Sequence, residues 1–351
     1  MNSITKHHFF IRLRHWEYWN SRVVYFPLYP YWLWLSIKSR SFFFPTAANP
    51  SIANGGLIME SKKDVYDLLP NELYPATCFF KKGTYARRVL DTVMQTGITF
   101  PMIVKPDIGE RGLGVKKVND EEELAAYVLL MPTDFLVQQF ISYEHEIGLF
   151  YCRIPGQECG VITGIVNKEP VAVVGDGKLT VLELIMQNER YILQLKQIRS
   201  LQKEKLQLVL SKAERLVLIP YGNHSRGSKF TDVSSEITQR LTETIDGYCK
   251  KIPGFYYGRL DIRFDSWEKL EKGEQFSIIE LNGSGSEPTH IYDPKHSLFF
   301  AWGEIIKHWK MLYSISKENN KRGVSYISLK KGRQEYESFR EIDALLSAQV
   351  W

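Results

Sequence analysis

The sequence predicts an α+β fold, and three stretches carry the prediction. GRLDIRF (258–264) alternates, with Leu260, Ile262 and Phe264 on one face and Arg259, Asp261 and Arg263 on the other, as a half-buried strand does. FSIIELN (276–282) is a second strand in which Glu280 and Asn282, two residues apart, point the same way. FPMIVKPDIGERGLGVKKV (100–118) reads as a strand ending in Lys105, a loop bearing Gly109, Gly112 and Gly114, and a return strand.

Chemistry follows from the same residues. If the first two strands are neighbours, Asp261, Glu280 and Asn282 direct three hard oxygen ligands to one point, which suits Mg²⁺ beside phosphates. An ordinary antiparallel pair with a polar outer face gives the same pattern. In the loop, glycines let backbone amides approach phosphate oxygens closely, and Lys105 adds a point charge. A plain turn also uses glycines. The GxxxxGK[ST] pattern is absent and a strand follows the glycines, so this is not a Walker loop.

The remaining elements follow in chain order. Between His7 and Phe44 stand Trp16, Trp19, Trp32 and Trp34, half of the eight tryptophans, among Arg12, Arg14, Arg22, Lys38 and Arg40. The apolar run Val23–Ile37 holds Pro27 and Pro30 and is too short to span a bilayer, and no small-residue cleavage site marks a signal peptide. Two alternatives stand: the rings lie in the headgroup zone of a membrane, or they cover the body or form a dimer contact. FFFPTAANPSIANGG is a loop, followed by a short helix over 62–69.

Next come a strand, a helix over 85–95, the strand into Lys105, the glycine loop, a helix over 121–130 begun by Asp120, and the strand FLVQQF. EIGLFYCRI, GVITGIV and PVAVV are strands, and Asp176-Gly177 is a hairpin-type turn, so Asp176 and Lys178 are structural. Residues 235–252 form an amphipathic helix through Ile237, Leu241 and Ile245. HSLFFAWGEIIKHWKMLYSI is a helix whose Trp302 and Trp309 anchor a core or an interface. The tail KKGRQEYESFREIDALLSAQVW reads as a solvated helix.

These motifs, in this order, resemble the ATP-grasp superfamily, and within it D-alanine D-alanine ligases and the C-terminal ligase half of cyanophycin synthetase. The likeness runs from about Ser61 to about Pro294. SKKDVYDLLPNELYPATCFF is similar to the segment carrying the family's first nucleotide lysine, which falls on Lys63. IVKPDIGERGLGV is similar to the second lysine and phosphate loop, giving Lys105, Gly109, Gly112 and Gly114. FLVQQFISYEHEIGLFY resembles the hinge strand, which implies adenine contacts over Gln138, Gln139 and Ile141 and a ribose contact at Glu146, with Glu144 as the alternative. VVGDGKLTVLELI and the loop NHSRGSKFTD resemble cyanophycin synthetase segments, the latter offering Arg226 and Lys229 to phosphate or substrate; decoration of a hairpin tip is the other reading of that loop. GRLD and IIELNGSG carry over a catalytic arginine onto Arg259 and metal ligands onto Asp261, Glu280 and Asn282.

The resemblance implies an ATP-grasp fold: two α/β subdomains enclosing the nucleotide, preceded by the aromatic segment. Its divisions are an aromatic, basic segment 1–45, a truncated pre-ATP-grasp remnant 46–75, a small lid 76–140, a large catalytic subdomain 141–315 and a tail 316–351. It implies ATP and two Mg²⁺, with Mn²⁺ as a stand-in, and an amide-forming carboxylate-amine ligase that passes through an acyl phosphate and releases ADP and phosphate. An ATP-grasp kinase acting on a small-molecule or lipid hydroxyl is the first alternative, and a membrane-associated nucleotide-binding scaffold the second. The partners are then a carboxylate and an amine, small or amphiphilic.

Composition fits a cytoplasmic enzyme, peripheral at the inner membrane face if the aromatic segment attaches there. The 351 residues are 44% hydrophobic and 24% charged, enough for sizeable cores. Cys78, Cys152, Cys159 and Cys249 form no CxxC pair and no zinc spacing, so they read as reduced and mostly packed. A net charge of +5, spread along the chain, argues against nucleic acid as the main partner. No GxSxG supplies a hydrolase nucleophile. The histidines form no ligand set, and His290, beyond the metal strand, is the best placed of them to act as a base.

Overall fold

Alternating and β-branched stretches become eleven strands among residues 3–219, 222 and 224–349, which the computed structural model describes. They are β1 (Thr77–Phe80), β2 (Met102–Pro106), β3 (Lys116–Val118), β4 (Phe135–Gln139), β5 (His145–Cys152), β6 (Val161–Glu169), β7 (Val171–Val174), β8 (Arg215–Ile219), β9 (Lys229–Asp232), β10 (Tyr257–Phe264) and β11 (Phe276–Asn282). All their pairings are antiparallel. They form a four-stranded sheet in the order β1-β4-β2-β3, a five-stranded sheet β11-β10-β5-β6-β9, and a β7-β8 ladder.

The small sheet is backed by helices Ala86–Gln95 and Glu121–Leu130, whose Val89, Val93, Leu124 and Tyr127 bury against Met102, Val104 and Val137. The second helix begins as its acidic start predicts: the Asp120 carboxylate accepts from the Glu123 amide at 2.8 Å. The large sheet packs Ile147, Leu149, Leu260 and Ile262 against Leu241, Ile245 and Cys249 of helix Gln239–Lys251. That helix is shorter than the predicted 235–252, because the Thr238 hydroxyl caps it by accepting from the Leu241 amide at 3.0 Å. The opposite face of the large sheet carries its charges. With apolar side chains turned to the helix, period two leaves the polar ones facing the small sheet.

Two expectations need correction. Asp176-Gly177 does not close a hairpin, since β7 pairs with β8 across forty residues of intervening chain. Instead the Asp176 carboxylate accepts from the Lys178 and Leu179 amides, both at 2.8 Å, turning the chain into helix Val181–Met186. The C-terminal helix Leu329–Ser347 is not simply solvated: Leu346 is fully buried and, with Ile342, joins the core of the small sheet. At its other end Gly332 lies against Phe43, where an added Cβ would come within 2.3 Å of the ring.

The aromatic N-terminus covers the body along one face, which is one of the two alternatives its sequence left open. Leu35 and Phe44 are buried with Leu312 and Ile315 of helix Leu298–Lys321. Trp32 meets Trp309 edge to face at 4.8 Å, Trp16 Nε1 donates to the His296 carbonyl at 2.9 Å, and Trp302 Nε1 donates to the Val24 carbonyl at 2.9 Å. The segment after it is held by Asn49, whose amide donates to the Gly55 and Tyr257 carbonyls and accepts from the Tyr256 and Tyr257 amides. Among the described residues no helix is long and apolar enough to cross a membrane.

Candidate active site

The polar faces of the two sheets line a cavity of about 780 Å³. Lys105, Gly109, Gly112, Gln138 and Gln139 stand on the small-sheet side, and Glu146, Arg259, Asp261, Glu280 and Asn282 on the large-sheet side, with Ile141 between them. Residues drawn from opposite ends of the chain thus face one space.

Lys105 ties the two walls together. Its buried ammonium donates to the Tyr66 hydroxyl at 2.8 Å, to Gln138 Oε1 at 2.9 Å and to the Ile279 carbonyl at 3.1 Å. Burial pushes its pKa down to about 8, with Glu280 and Asp261 pulling the other way. The Ile279 carbonyl is available because of a bulge: Asp261 pairs with Glu280 but Ile262 pairs with Ile278, leaving Ile279 unmatched. The extra residue keeps both Ile278 and Leu281 in the core while Glu280 and Asn282 face the cavity.

A chain of charges runs along the large-sheet wall. Arg259 Nε donates to Asp261 Oδ1 at 2.9 Å, and Lys168 Nζ contacts Asp261 Oδ2 at 2.8 Å. Lys168 also stands 3.7 Å from Glu146, whose Oε2 accepts from Arg263 Nε and Nη2 at 3.1 and 3.0 Å. Burial favours a neutral Asp261, but Arg259 and Lys168 outweigh it and hold the carboxyl below its ordinary value. Gly148 lies opposite Asp261, and a Cβ there would come within 3.2 Å of Oδ1. Of the two glutamates the resemblance left open, Glu146 lines the cavity; Glu144 is exposed outside it.

Several predicted residues lie elsewhere. Lys63 pairs with Asp67 on the outer side of helix Lys62–Tyr66. Its neighbour Lys62 enters the cavity, donating to the Gly109 carbonyl at 2.9 Å and standing 4.0 Å from Glu280. Gly114 holds a left-handed turn (φ 72°) behind the loop, where its carbonyl accepts from Tyr127 OH at 2.8 Å. Lys229 is exposed on edge strand β9 beside Glu169, and Arg226, in the turn His224–Arg226, does not line the cavity. Asn223 of the same loop lies outside the described residues. His290 is buried 3.5 Å from Glu304, away from the cavity.

Other lining residues escaped sequence reasoning. Lys168 comes from a strand with no motif. His224 is stacked between Tyr18 and Tyr292 at 6.0 and 4.9 Å, and burial, with Arg190 nearby, lowers its pKa to about 3. Tyr18 and Trp19 of the aromatic segment and Phe339 of the C-terminal helix complete the wall. Only their surplus of apolar residues over any need of an exposed tail could have signalled them.

The donor set suits a divalent cation. Two carboxylates and a carboxamide on paired strands are hard oxygen donors, and Asn282 Nδ2 is buried without a hydrogen-bond partner. Amide oxygen and nitrogen are assigned from their surroundings, so exchanging them leaves an unpaired oxygen in that position. Among the described residues no three His, Cys, Asp or Glu side chains cluster for a metal, so a cation held here would need phosphate or water oxygens to complete its shell.

Glu60 adds an unexpected carboxyl beside this set. It accepts from the Gly283 amide at 2.9 Å, and burial, reinforced by Glu280, raises its pKa to about 8 against the lowering effect of that amide, Lys62 and Arg259. Folding therefore favours its protonated form: the stabilisation is complete below its ordinary value of 4.5 and is lost as pH rises through about 8. Glu60→Gln, neutral throughout, is expected to lose less stability than wild type between pH 5 and pH 9 in thermal unfolding. Identical pH profiles would contradict a neutral buried carboxyl.

No family model matches the chain, and no curated protein sequence matches it. Among solved structures it is similar to a bifunctional glutathione synthetase from Pasteurella multocida, at 17% identity and a TM-score of 0.38 over 74% of this chain and 38% of that one. It is also similar to the VanG D-Ala:D-Ser ligase from Enterococcus faecalis, at 14% identity and a TM-score of 0.42 over 75% of this chain and 64% of that one. A D-alanine–D-alanine ligase from Bacillus anthracis follows at 15% identity and a TM-score of 0.44, over 78% and 72% of the two chains. The chain thus spans less than two-thirds of the first two proteins.

Proposed function

We propose that the protein is an ATP-dependent carboxylate-amine ligase that forms an amide through an acyl phosphate and releases ADP and phosphate. The observation that carries this reading is the meeting of Lys105, Lys62 and the Gly109–Gly112 loop with Arg259, Asp261, Glu280 and Asn282 across one cavity. Cationic and amide donors on one wall suit a polyphosphate, and oxygen donors opposite suit its counter-ion. In this reading Gln138, Gln139 and Ile141 border the base and Glu146 the sugar. Asp261, Glu280 and Asn282 would hold Mg²⁺, which when bound neutralises charge on the phosphates.

The chain's own residues supply alignment and fixed charge, which dominate phosphoryl transfer. Arg259, anchored through Nε on Asp261, keeps its remaining guanidinium donors for negative charge that gathers in the cavity. The substrate carboxylate attacks the γ-phosphorus, expelling ADP. The amine, as its free base, then attacks the acyl carbon, the carbon–oxygen bond to phosphate breaks, and phosphate leaves, taking up the proton the nitrogen sheds. The walls contributed by Tyr18, Trp19 and Phe339 limit water, which would otherwise hydrolyse the acyl phosphate.

The outward face of the N-terminal segment supports a second, separate proposal, that the enzyme attaches to a membrane surface. Phe10, Leu13, Val23, Phe26 and Ile37 are exposed there, interleaved with exposed Arg12, Arg14, Arg22, Lys38 and Arg40. Basic residues near anionic lipid contribute about 1 kcal/mol each. Full-length protein is expected to float with anionic vesicles at low salt and to be released at high salt; protein that never floats contradicts attachment.

A screen of carboxylates and amines, read as paired ADP and phosphate release with mass spectrometry of the condensed product, tests the ligase. With the substrates so found, Asp261→Asn is expected to abolish turnover while the protein stays folded. Arg259→Ala is expected to lower kcat by roughly 10² to 10³, the scale of losing one preorganised charge stabiliser. Full activity of Asp261→Asn would contradict the metal assignment, and ADP release without free phosphate would favour the kinase.

A further inference from the structure

A second cavity, also about 780 Å³, lies between the N-terminal aromatic segment and helix Leu298–Lys321. Its walls are apolar, built from Trp32, Trp309, Ile305, Leu312, Phe26 and Leu33. It is not isolated: Leu57, Gly285, Ser286 and Glu287 line both this chamber and the catalytic cavity. Polar groups gather at that junction. The Ser284 hydroxyl is buried without a partner, and Glu287 accepts from Tyr25 OH at 2.5 Å and from Tyr292 OH at 3.0 Å. Among the residues that line this chamber and not the reaction cavity, Phe26, Leu33 and Phe42 are 73%, 55% and 55% exposed, giving the chamber an apolar rim.

Chamber size, an apolar wall and a polar end at the reaction cavity describe a site for an amphiphile, since small-molecule sites run to about 300–1,000 Å³ with few placed polar groups. The one ionisable side chain in the shared wall is the acid Glu287, which disfavours a carboxylate head and favours an amine. Resting on the ligase reading, we propose that the chamber holds the single apolar tail of the amine substrate. Its head group then lies against Glu287 and Ser284, at the entrance to the cavity where the acyl phosphate forms. The exposed rim admits the tail from an apolar phase or a micelle.

Equilibrium binding of n-butylamine, n-octylamine and n-dodecylamine to the full-length protein, each below its micelle concentration, tests this by tryptophan fluorescence, since Trp32 and Trp309 stand in the wall. Affinity is expected to rise about fourfold per added methylene, the gain from burying each one. Leu33→Trp, which fills the rim, and Phe42→Asp, which charges it, are expected to weaken dodecylamine at least tenfold while leaving the Mg-ATP shift of the melting temperature unchanged. Both positions are exposed, so folding survives either change. Dodecylamine binding no tighter than butylamine, or binding that neither variant alters, overturns the tail site. Dodecanoate binding as tightly as dodecylamine overturns the assignment to the amine. Chain-length dependence that persists while no substrate pair yields ADP and phosphate supports the tail site and removes the ligase reading instead.

Discussion

Asp261 is a buried carboxylate that must stay ionised, and much of the large sheet is arranged to permit it. An isolated charge in that position would be neutralised, since burial alone costs several kcal/mol. Lys168 from β6 and Arg259 from Asp261's own strand meet its two oxygens, and Glu146 with Arg263 extends the alternation of sign across β5 and β10. The β10-β5 register sets these partners side by side, with Asp261 opposite Gly148 and Arg263 opposite Glu146. Such a network is weak support for stability, but a one-residue slip would strand several buried charges, so it enforces register.

The same network sets what the cavity offers. With Asp261 already engaged, Glu280 and Asn282 are its more available oxygen donors, and Lys62 rather than Lys63 is the cation beside them. Lys105 then joins the walls through the bulged Ile279 carbonyl, next to Glu280. Both chain ends close the space: Tyr18 and Trp19 approach from the N-terminal segment and Phe339 from the C-terminal helix, which is itself bound to the small-sheet core by Leu346.

Features governed by local periodicity were legible in the sequence. The strands around Asp261 and Glu280 follow from alternation, the β2-β3 return from its glycines, and helix Glu121–Leu130 from its acidic start. Features fixed by tertiary contact were not. Adjacent Lys62 and Lys63 are indistinguishable until the short helix docks and turns one inward. Lys168 and Glu60 reach the cavity from segments without motif, whereas His224 sits in the NHSRGSKFTD loop, where the cations rather than the histidine carried the resemblance. The aromatic N-terminus left packing and exposure both open, and it does both: Trp32 and Leu35 face the body while Phe26 and Ile37 do not. Asp176-Gly177 has a hairpin dipeptide, but an Asx turn into a helix uses the same residues.

In the proposed reading the cavity between the two sheets holds a nucleotide together with a divalent cation. Titration calorimetry of the full-length protein with ATP, in Mg²⁺ and again in excess chelator, tests it most directly. One saturable site that weakens sharply when Mg²⁺ is removed is the predicted result. No saturable binding in Mg²⁺, or binding of equal affinity in chelator, would contradict it.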